Sequence, residues 1–211
     1  QLFLARDRAG EKPLYYYHDK TTGTLYFASE IKALLADPSL PRRVDSSALN
    51  YYLAYGYVPG ELCMLEGFHK LPQAGAMIFC PDDGTELRLW RYWELPESPT
   101  NEQADVQELS ERLHELLRES VRRQLVADVP VGILLSGGTD SSLITAMAAE
   151  VSGAPVKTFT ISFPGHGEYD EGPYAKTIAA HFGTEHTELV AEPATVELLP
   201  KLARQYDEPM A

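Results

Sequence analysis

The stretch Val131-Gly132-Ile133-Leu134-Leu135-Ser136-Gly137-Gly138-Thr139-Asp140-Ser141-Ser142 limits what this chain can fold into more than any other. Apolar or small residues run without a break up to Ser136, which predicts a buried strand covered on both faces. Gly137 and Gly138 predict a sharp turn with no Cβ between the backbone and a ligand. Asp140, Ser141 and Ser142 stand where a helix N-terminus takes side-chain acceptors, and Leu143-Ile144-Thr145-Ala146-Met147 continues that helix. Such a helix start presents free N–H groups and the positive end of its dipole, and both attract phosphate.

The loop is not the Walker phosphate loop. Gly132 and Gly137 have its spacing, but Gly138 stands where its lysine belongs. Nor is it G-x-G-x-x-G. It resembles the S-G-G-x-D-S loop of the ATP pyrophosphatases, the PP-loop enzymes, which grip the β,γ-pyrophosphate of ATP and cleave between its α- and β-phosphates. The residues taken alone also allow a glycine-rich turn with ordinary helix capping.

Around this loop the second half of the chain alternates. A helix is predicted over 102–126, with Leu109, Leu113, Leu116, Leu117, Val121 and Leu125 on one stripe and Arg122 and Arg123 complementing its dipole. After the loop and its helix come a strand at 156–163, with Phe159, Ile161 and Phe163 on one face, and a helix at 172–182 closed by Gly183. A strand at 184–190 and a helical pattern at 193–206, interrupted at Pro200, complete the series. This alternation predicts an α/β fold: a parallel sheet with helices on both faces, binding ligands at the carboxyl ends of its strands.

The first half reads differently. Strands at 2–5, 13–17 and 24–28 follow one another as a β-meander. Ser29 is placed to cap a short helix at 30–35, and Asp45 to cap another at 46–55, ended by Gly56. Tyr51, Tyr52 and Tyr55 read as packing residues. Strands at 76–80 and 87–92 are joined by a turn at Pro81-Asp82-Asp83-Gly84. The polar, proline-bearing stretch at 94–100 is the expected domain boundary.

Composition excludes several functions. A net charge of −13 over 211 residues argues against non-specific nucleic-acid binding and against an anionic membrane surface. ATP remains compatible where helix N-termini and Mg²⁺ dress the site locally. Cys63 and Cys80 do not form C-x-x-C and are too far apart for a metal knuckle, so they read as reduced, packed thiols of a cytoplasmic protein. No run of about 18 apolar residues predicts a membrane span. The N-terminus is no signal peptide; it opens without methionine on a strand-like run, as a piece of a longer chain would.

The motifs together resemble the glutamine-dependent asparagine synthetases. Arg6-Asp7-Arg8, Gly10 and Lys12-Pro13-Leu14-Tyr15-Tyr16 resemble the late part of their class II amidotransferase domain. Phe27-Ala28-Ser29-Glu30-Ile31-Lys32-Ala33-Leu34, then Gly67-Phe68, Lys70-Leu71-Pro72 and Tyr92-Trp93, are similar to its continuation and closing strands. Asp128-Val129-Pro130 leads into the loop, and Lys157-Thr158-Phe159-Thr160-Ile161-Ser162-Phe163, Glu168-Tyr169-Asp170-Glu171, Gly183-Thr184-Glu185-His186 and Asp207-Glu208-Pro209 follow in the family's order. The resemblance implies residues 1–95 as the incomplete end of an α+β N-terminal-nucleophile amidotransferase domain. It implies residues 96–211 as the start of a PP-loop synthetase domain.

It further implies a reaction. Ammonia from glutamine passes inward, the aspartate β-carboxylate attacks the α-phosphate of Mg-ATP, pyrophosphate leaves, and ammonia attacks the β-aspartyl adenylate. Ser136, Gly137, Gly138, Asp140, Ser141 and Ser142 are similar to the pyrophosphate grip, and Asp140 to the loop acid that helps hold Mg²⁺. A helix N-cap is also open to Asp140, and both roles can hold at once. Leu134 and Ile161 are similar to adenine-pocket residues, with plain sheet core equally open. Glu168, Asp170 and Glu171 form an acidic loop that fits solvent better than substrate, and His186 reads as a structural histidine. For Asp207 and Glu208, at the expected ligand edge, contact with a ligand and a bland loop role are equally open. The partners implied are the small molecules aspartate, glutamine and ATP, with no nucleic acid and no membrane; a homodimer is compatible, and the oligomeric state stays open.

The departures bear on activity. Residue 1 is Gln, not a cysteine nucleophile, and the chain stops before the family's later glycine- and acid-rich loop, so glutaminase and complete synthetase activity are not expected of these residues alone. A β-lactam synthetase, a related enzyme acting on another carboxylate, and a non-catalytic nucleotide-binding module remain the competing readings.

Overall fold

The computed structural model describes residues 1–81, 86–97, 105–165, 167–191 and 196–209. The chain divides into two units, 1–98 with 195–211, and 99–194. The division falls within the proline-bearing stretch at 94–100. Residues 195–211 count with the first unit, whereas the sequence groups them with the second.

In the first unit, β1 (Leu2–Ala5) does not join the two strands that follow it. β2 (Tyr15–Asp19) and β3 (Thr24–Ala28) form a hairpin, and β2 also pairs with β4 (Phe68–Lys70). β1 instead pairs antiparallel with β5 (Gly75–Cys80), which pairs with β6 (Glu86–Arg91). The expected meander is therefore two three-stranded sheets. The reason lies in the turn after β1. Arg6 donates to the carbonyls of Gly10, Lys12 and Leu71, each at 2.8 Å, and its own N–H reaches Gly75 O at 2.9 Å. Asp7 accepts from Glu11 N at 2.9 Å and Lys12 N at 3.2 Å, which holds its carboxyl below the usual range. These bonds turn the chain out of one sheet and into the other.

Period-2 alternation then fills two cores. Tyr16, Leu71 and Met77 pack with Leu4 and Leu87, joining the sheets. Tyr15, Cys63 and Phe68 pack with Ile31 and Leu34 of α1 (Ile31–Leu34) on the other side. Leu71 and Met77 are fully buried, worth about 2 kcal/mol each in removed apolar surface. Helix α2 (Ser46–Tyr55) has the expected Asp45 cap, bonded to Ala48 N at 2.9 Å, and ends at Gly56 in the left-handed conformation. It buries only Ala48; Tyr51 and Tyr55 stack on each other in solvent rather than in a core. The turn expected around 82–84 lies outside the described residues.

In the second unit, β7 (Gly132–Leu134), β8 (Lys157–Ser162) and β9 (Glu185–Val190) form a parallel sheet in that order. Helix α3 (Val106–Gln124) starts at an Asp105 cap; Leu117, Val121 and Leu125 pack against Met147 and Ala148 of α4 (Thr139–Val151). Leu109, Leu113 and Leu116 of the same stripe are exposed. Arg122 and Arg123 both bond to Glu119, at 2.7 Å from each Nε, and hold its carboxyl down to about 2. Helix α5 (Gly172–Phe182) covers Leu135 with Ala175 and Ala179.

Two expectations about this sheet change. β7 is its edge strand among the described residues, and Leu134 is 78% exposed, so the strand is not buried on both faces. The expected second helical layer is likewise absent among the described residues. Thr158, Thr160 and Ser162 of β8 are buried on the helix side, while Ile161 and Phe163 are exposed. Helix α6 (Leu199–Gln205) carries Pro200 in its first turn, so the proline restarts the helix instead of breaking it. No helix of the described residues is long and apolar enough to cross a membrane.

Both cysteines are free. Burial, with the Glu208 carboxylate nearby, pushes the Cys63 thiol up from 9.0 to about 12. A folded value above the unfolded one stabilises fully below pH about 9 and is lost as pH rises towards 12. Iodoacetamide at pH 8 is therefore expected to modify Cys80 and spare Cys63. Denaturation midpoints should fall between pH 9 and 11, and fall less in Cys63→Ala than in the unsubstituted chain; equal slopes would contradict this.

Candidate functional site

The carboxyl end of β7 carries the site. Leu135 N bonds to Phe159 O at 2.8 Å, which keeps the strand in register up to Ser136. The chain then turns at Gly137, whose φ is +80°. A Cβ on Gly137 would lie 2.5 Å from Tyr174 Cβ, 2.6 Å from its carbonyl carbon and 2.7 Å from Ala175 N. Both the left-handed φ and the backbone of α5 therefore require glycine here. The same contact sets the N-terminal turn of α5 against the loop that starts α4.

Gly138, at φ −70° and ψ 169°, is the N-cap of α4, and no side chain caps the helix. The N-cap role open to Asp140 is thus excluded: Asp140 lies inside the first turn, exposed, and its carboxylate takes no hydrogen bond or ion pair among the described residues. Without a capping side chain, the first-turn N–H groups of α4 remain open to an anion. Ser136 Oγ and Ser141 Oγ lie 2.9 Å apart, Gly138 N donates to Ser136 Oγ at 3.3 Å, and Ser141 Oγ donates to Gly138 O at 3.3 Å. This network holds the loop curled over the helix start. Ser142 Oγ is buried with no hydrogen-bond partner among the described residues. Buried hydroxyls without partners carry an unmet demand for one.

Beside the loop lies a shallow hollow of about 230 Å³, lined by Leu134, Ser136, Phe159, Ile161, Phe163 and Glu171. Leu134 is 78% and Ile161 52% exposed, so neither belongs to the sheet core. The hollow has an apolar floor and opens onto the serine–glycine loop. Underneath, Thr160 Oγ1 donates to Leu135 O, and Thr145 Oγ1 donates to Ser141 O at 2.8 Å. These two buried threonines fix the strand end and the helix start.

The weaker candidates separate. Asp170 Oδ1 accepts from Phe163 N at 3.1 Å and Gly172 N at 3.2 Å, so it ties the end of β8 to the start of α5. Glu171 reaches the hollow. The side chain of Glu168 lies outside the described ones. His186 Nδ1 is 2.9 Å from Thr158 Oγ1, in a chain that continues to Thr184 Oγ1 at 2.8 Å, while its Nε2 is buried with no hydrogen-bond partner among the described residues, so the histidine is only half satisfied. Asp207 and Glu208 belong to the first unit, where their carboxylates bond to Ile31 N and Met64 N, and neither forms part of this loop.

Comparison with known proteins matches two family models in succession. The glutamine amidotransferase domain model covers residues 1–93 and the asparagine synthase model covers residues 112–211. Asparagine synthetase 3 (glutamine-hydrolyzing) of Bacillus subtilis is 37% identical over 90% of this chain, and asparagine synthetase 1 of the same organism 33% identical over all of it. A Methanocaldococcus jannaschii relative, provisionally named in the same way, is 36% identical over 99% of the chain. The chain belongs to the asparagine synthetase family. It spans 40% of the length of the archaeal synthetase relative and 32% of each Bacillus one. The loop, the hollow and α5 all lie within the residues that the asparagine synthase model matches.

The sequence gives Tyr174, Phe159 and Thr160 no individual role at this site. Tyr174 follows a proline at a helix start and carries no motif, so only the packing shows that its backbone enforces Gly137. Gly137→Ala is expected to lose about 3 kcal/mol or more, from about 1–2 kcal/mol of left-handed strain plus overlap with α5. Gly138→Ala, whose Cβ would meet only Ser136 Oγ at 3.4 Å, should cost about 1 kcal/mol or less. Urea denaturation of the two variants checks the contrast; equal losses would contradict it.

Proposed function

We propose that this chain carries the ATP-gripping part of glutamine-dependent asparagine synthesis. The observation that supports it most is the uncapped start of α4 under a serine–glycine loop, with an apolar hollow beside it. In this reading the hollow formed by Leu134 and Ile161 takes the adenine. The N–H groups of Gly137, Gly138 and the first turn of α4, with the hydroxyls of Ser136, Ser141 and Ser142, take the β,γ-pyrophosphate. Residues 1–95 are the amidotransferase part and residues 96–211 the synthetase part of a PP-loop, parallel α/β fold.

The chemistry follows from that placement. The aspartate β-carboxylate oxygen attacks the α-phosphorus, the bond to the bridging oxygen breaks, and charge moves onto the departing pyrophosphate. Donors already aimed at that charge lower the barrier because they need no reorganisation. Ammonia then attacks the acyl carbon, AMP leaves, a proton is released and asparagine forms. No group of three or more metal-ligating side chains occurs among the described residues, and Asp140 is a lone unengaged carboxylate at the helix start. That donor set fits Mg²⁺, which takes one or two carboxylates and fills its shell from phosphates and water. When bound, Mg²⁺ neutralises phosphate charge. Neither thiol serves as glutamine nucleophile: Cys63 is buried with a pKa about 12. Neither Cys63 nor Cys80 offers the α-amino group used by an N-terminal nucleophile.

Asp140→Ala in the native protein that contains this chain is expected to lower ammonia-dependent asparagine formation and aspartate-dependent pyrophosphate exchange at least about a hundredfold. Glutamine hydrolysis should stay within about twofold, since Asp140 lies in the synthase part. Synthesis near the normal rate would overturn the assignment of Asp140. Nucleotide binding without exchange in the unsubstituted protein would favour a binding module, and exchange dependent on another carboxylate a different acceptor.

A further inference from the structure

Helix α1 begins at Glu30, whose side chain makes no cap bond. Its first N–H is taken instead by a residue 176 positions away: Ile31 N donates to Asp207 Oδ2 at 2.7 Å, and Lys32 N approaches Asp207 Oδ1 at 3.4 Å. The next residue reaches a second site. Met64 N donates to Glu208 Oε1 at 2.8 Å, and Lys70 Nζ lies 2.5 Å from Glu208 Oε2 while also donating to Val58 O at 2.8 Å. The side chains of Asp207, Glu208 and Lys70 are 11, 11 and 13% exposed. Lys32 Nζ adds a bond to Gln205 O at 2.9 Å and lies 3.5 Å from Asp207 Oδ1.

These bonds hold a segment that has little else to hold it. Helix α6 has no buried residue; Leu199 is 60% and Leu202 38% exposed. Apolar burial therefore contributes little to its attachment, and the paired carboxylates contribute most. Buried charges of this kind are costly to leave unpaired, so each half of the Glu208–Lys70 pair depends on the other. The segment also has a particular place in the chain. The synthase model runs to residue 211, while Ile31, Met64 and Lys70 fall in the amidotransferase model, so residues of the two meet inside one unit.

We propose that Asp207 and Glu208 form a carboxylate clasp, a pair of positioning residues that anchors the segment around α6 on the amidotransferase part so that ammonia released there is used in synthesis. The transfer role rests on the proposed function; the clasp itself does not. Without the clasp, glutamine hydrolysis and ammonia-dependent synthesis both persist, because each uses its own site, but the first no longer feeds the second. In this role Asp207 and Glu208 act through the segment they hold, by their bonds to Ile31, Met64 and Lys70.

The test has two readouts. Amide hydrogen exchange in this chain should speed up at Ile31, Lys32 and Met64 about tenfold or more in Asp207→Ala/Glu208→Ala, the size expected for charge-assisted bonds, and less in the isosteric Asp207→Asn/Glu208→Gln. In the native protein that contains the chain, the alanine pair should lower glutamine-dependent asparagine formation about tenfold or more relative to the ammonia-dependent rate. Glutamine hydrolysis and ammonia-dependent synthesis should each stay within about twofold. The swap Lys70→Glu/Glu208→Lys should restore part of the coupling that either single change removes. Unchanged exchange at the three amides would overturn the clasp. Unchanged coupling, or loss of both synthesis rates with the fold intact, would overturn its role in transfer. If the unsubstituted protein makes no asparagine from either nitrogen source, the proposed function and the transfer role fail, and the exchange readout still decides the clasp.

Discussion

The contact between Gly137 and the first turn of α5 is the constraint on which the second unit's site depends. A backbone approach of 2.6–2.7 Å to a position where any other residue would place its Cβ leaves no tolerance. Because the loop must turn in the left-handed region at that spot, Ser136 stays at the strand end and Gly138 becomes the start of α4. The two serines then lie 2.9 Å apart across the turn, and the N-termini of α4 and α5 come to the same edge of the sheet. The positive ends of both dipoles and the open N–H groups follow from one close packing contact.

Beneath that edge the sheet is arranged against first intuition. In β8 the apolar residues Phe159, Ile161 and Phe163 look like the inward face, yet Thr158, Thr160 and Ser162 are the ones covered by helices. The buried threonines are accommodated because their hydroxyls are bonded, Thr160 to Leu135 O and Thr158 to Thr184 and His186. The apolar face is left as the floor of the hollow beside the loop.

The first unit is organised by charged groups reaching far along the chain. Arg6 gathers three carbonyls and diverts the chain from one sheet to the other. Asp207 caps α1 at Ile31, 176 positions away, and Glu208 accepts from Met64 N, 144 positions away, while pairing with Lys70. In each case a local element lacks something that only a distant residue provides. The short helix α1 has no cap of its own, and Lys70 has no nearby acid in its strand.

The sequence by itself determined the elements and the loop. The glycine at the end of α5, the Asp45 cap of α2 and the strand–turn–helix order at 131–151 are local matters of φ, capping and spacing, and they stand as read. Leu134, Ser136 and Ile161 meet at one hollow because a parallel sheet brings its strand ends together. What the sequence left open is everything decided by which surface faces which. Period-2 alternation gives β8 two faces without saying which is inside. Three consecutive strands do not reveal that β1 leaves them for β5, since that choice is made by Arg6 and carbonyls far along the chain. The cap role that the sequence left open to Asp140 disappears because the turn at Gly137 puts the helix start at Gly138. For Asp207 and Glu208 the sequence leaves a ligand contact and a loop role equally open, and only the fold shows their bonds to Ile31, Met64 and Lys70. Local geometry is written in neighbouring residues, whereas the partner of a charge or a face is set only when the chain closes on itself.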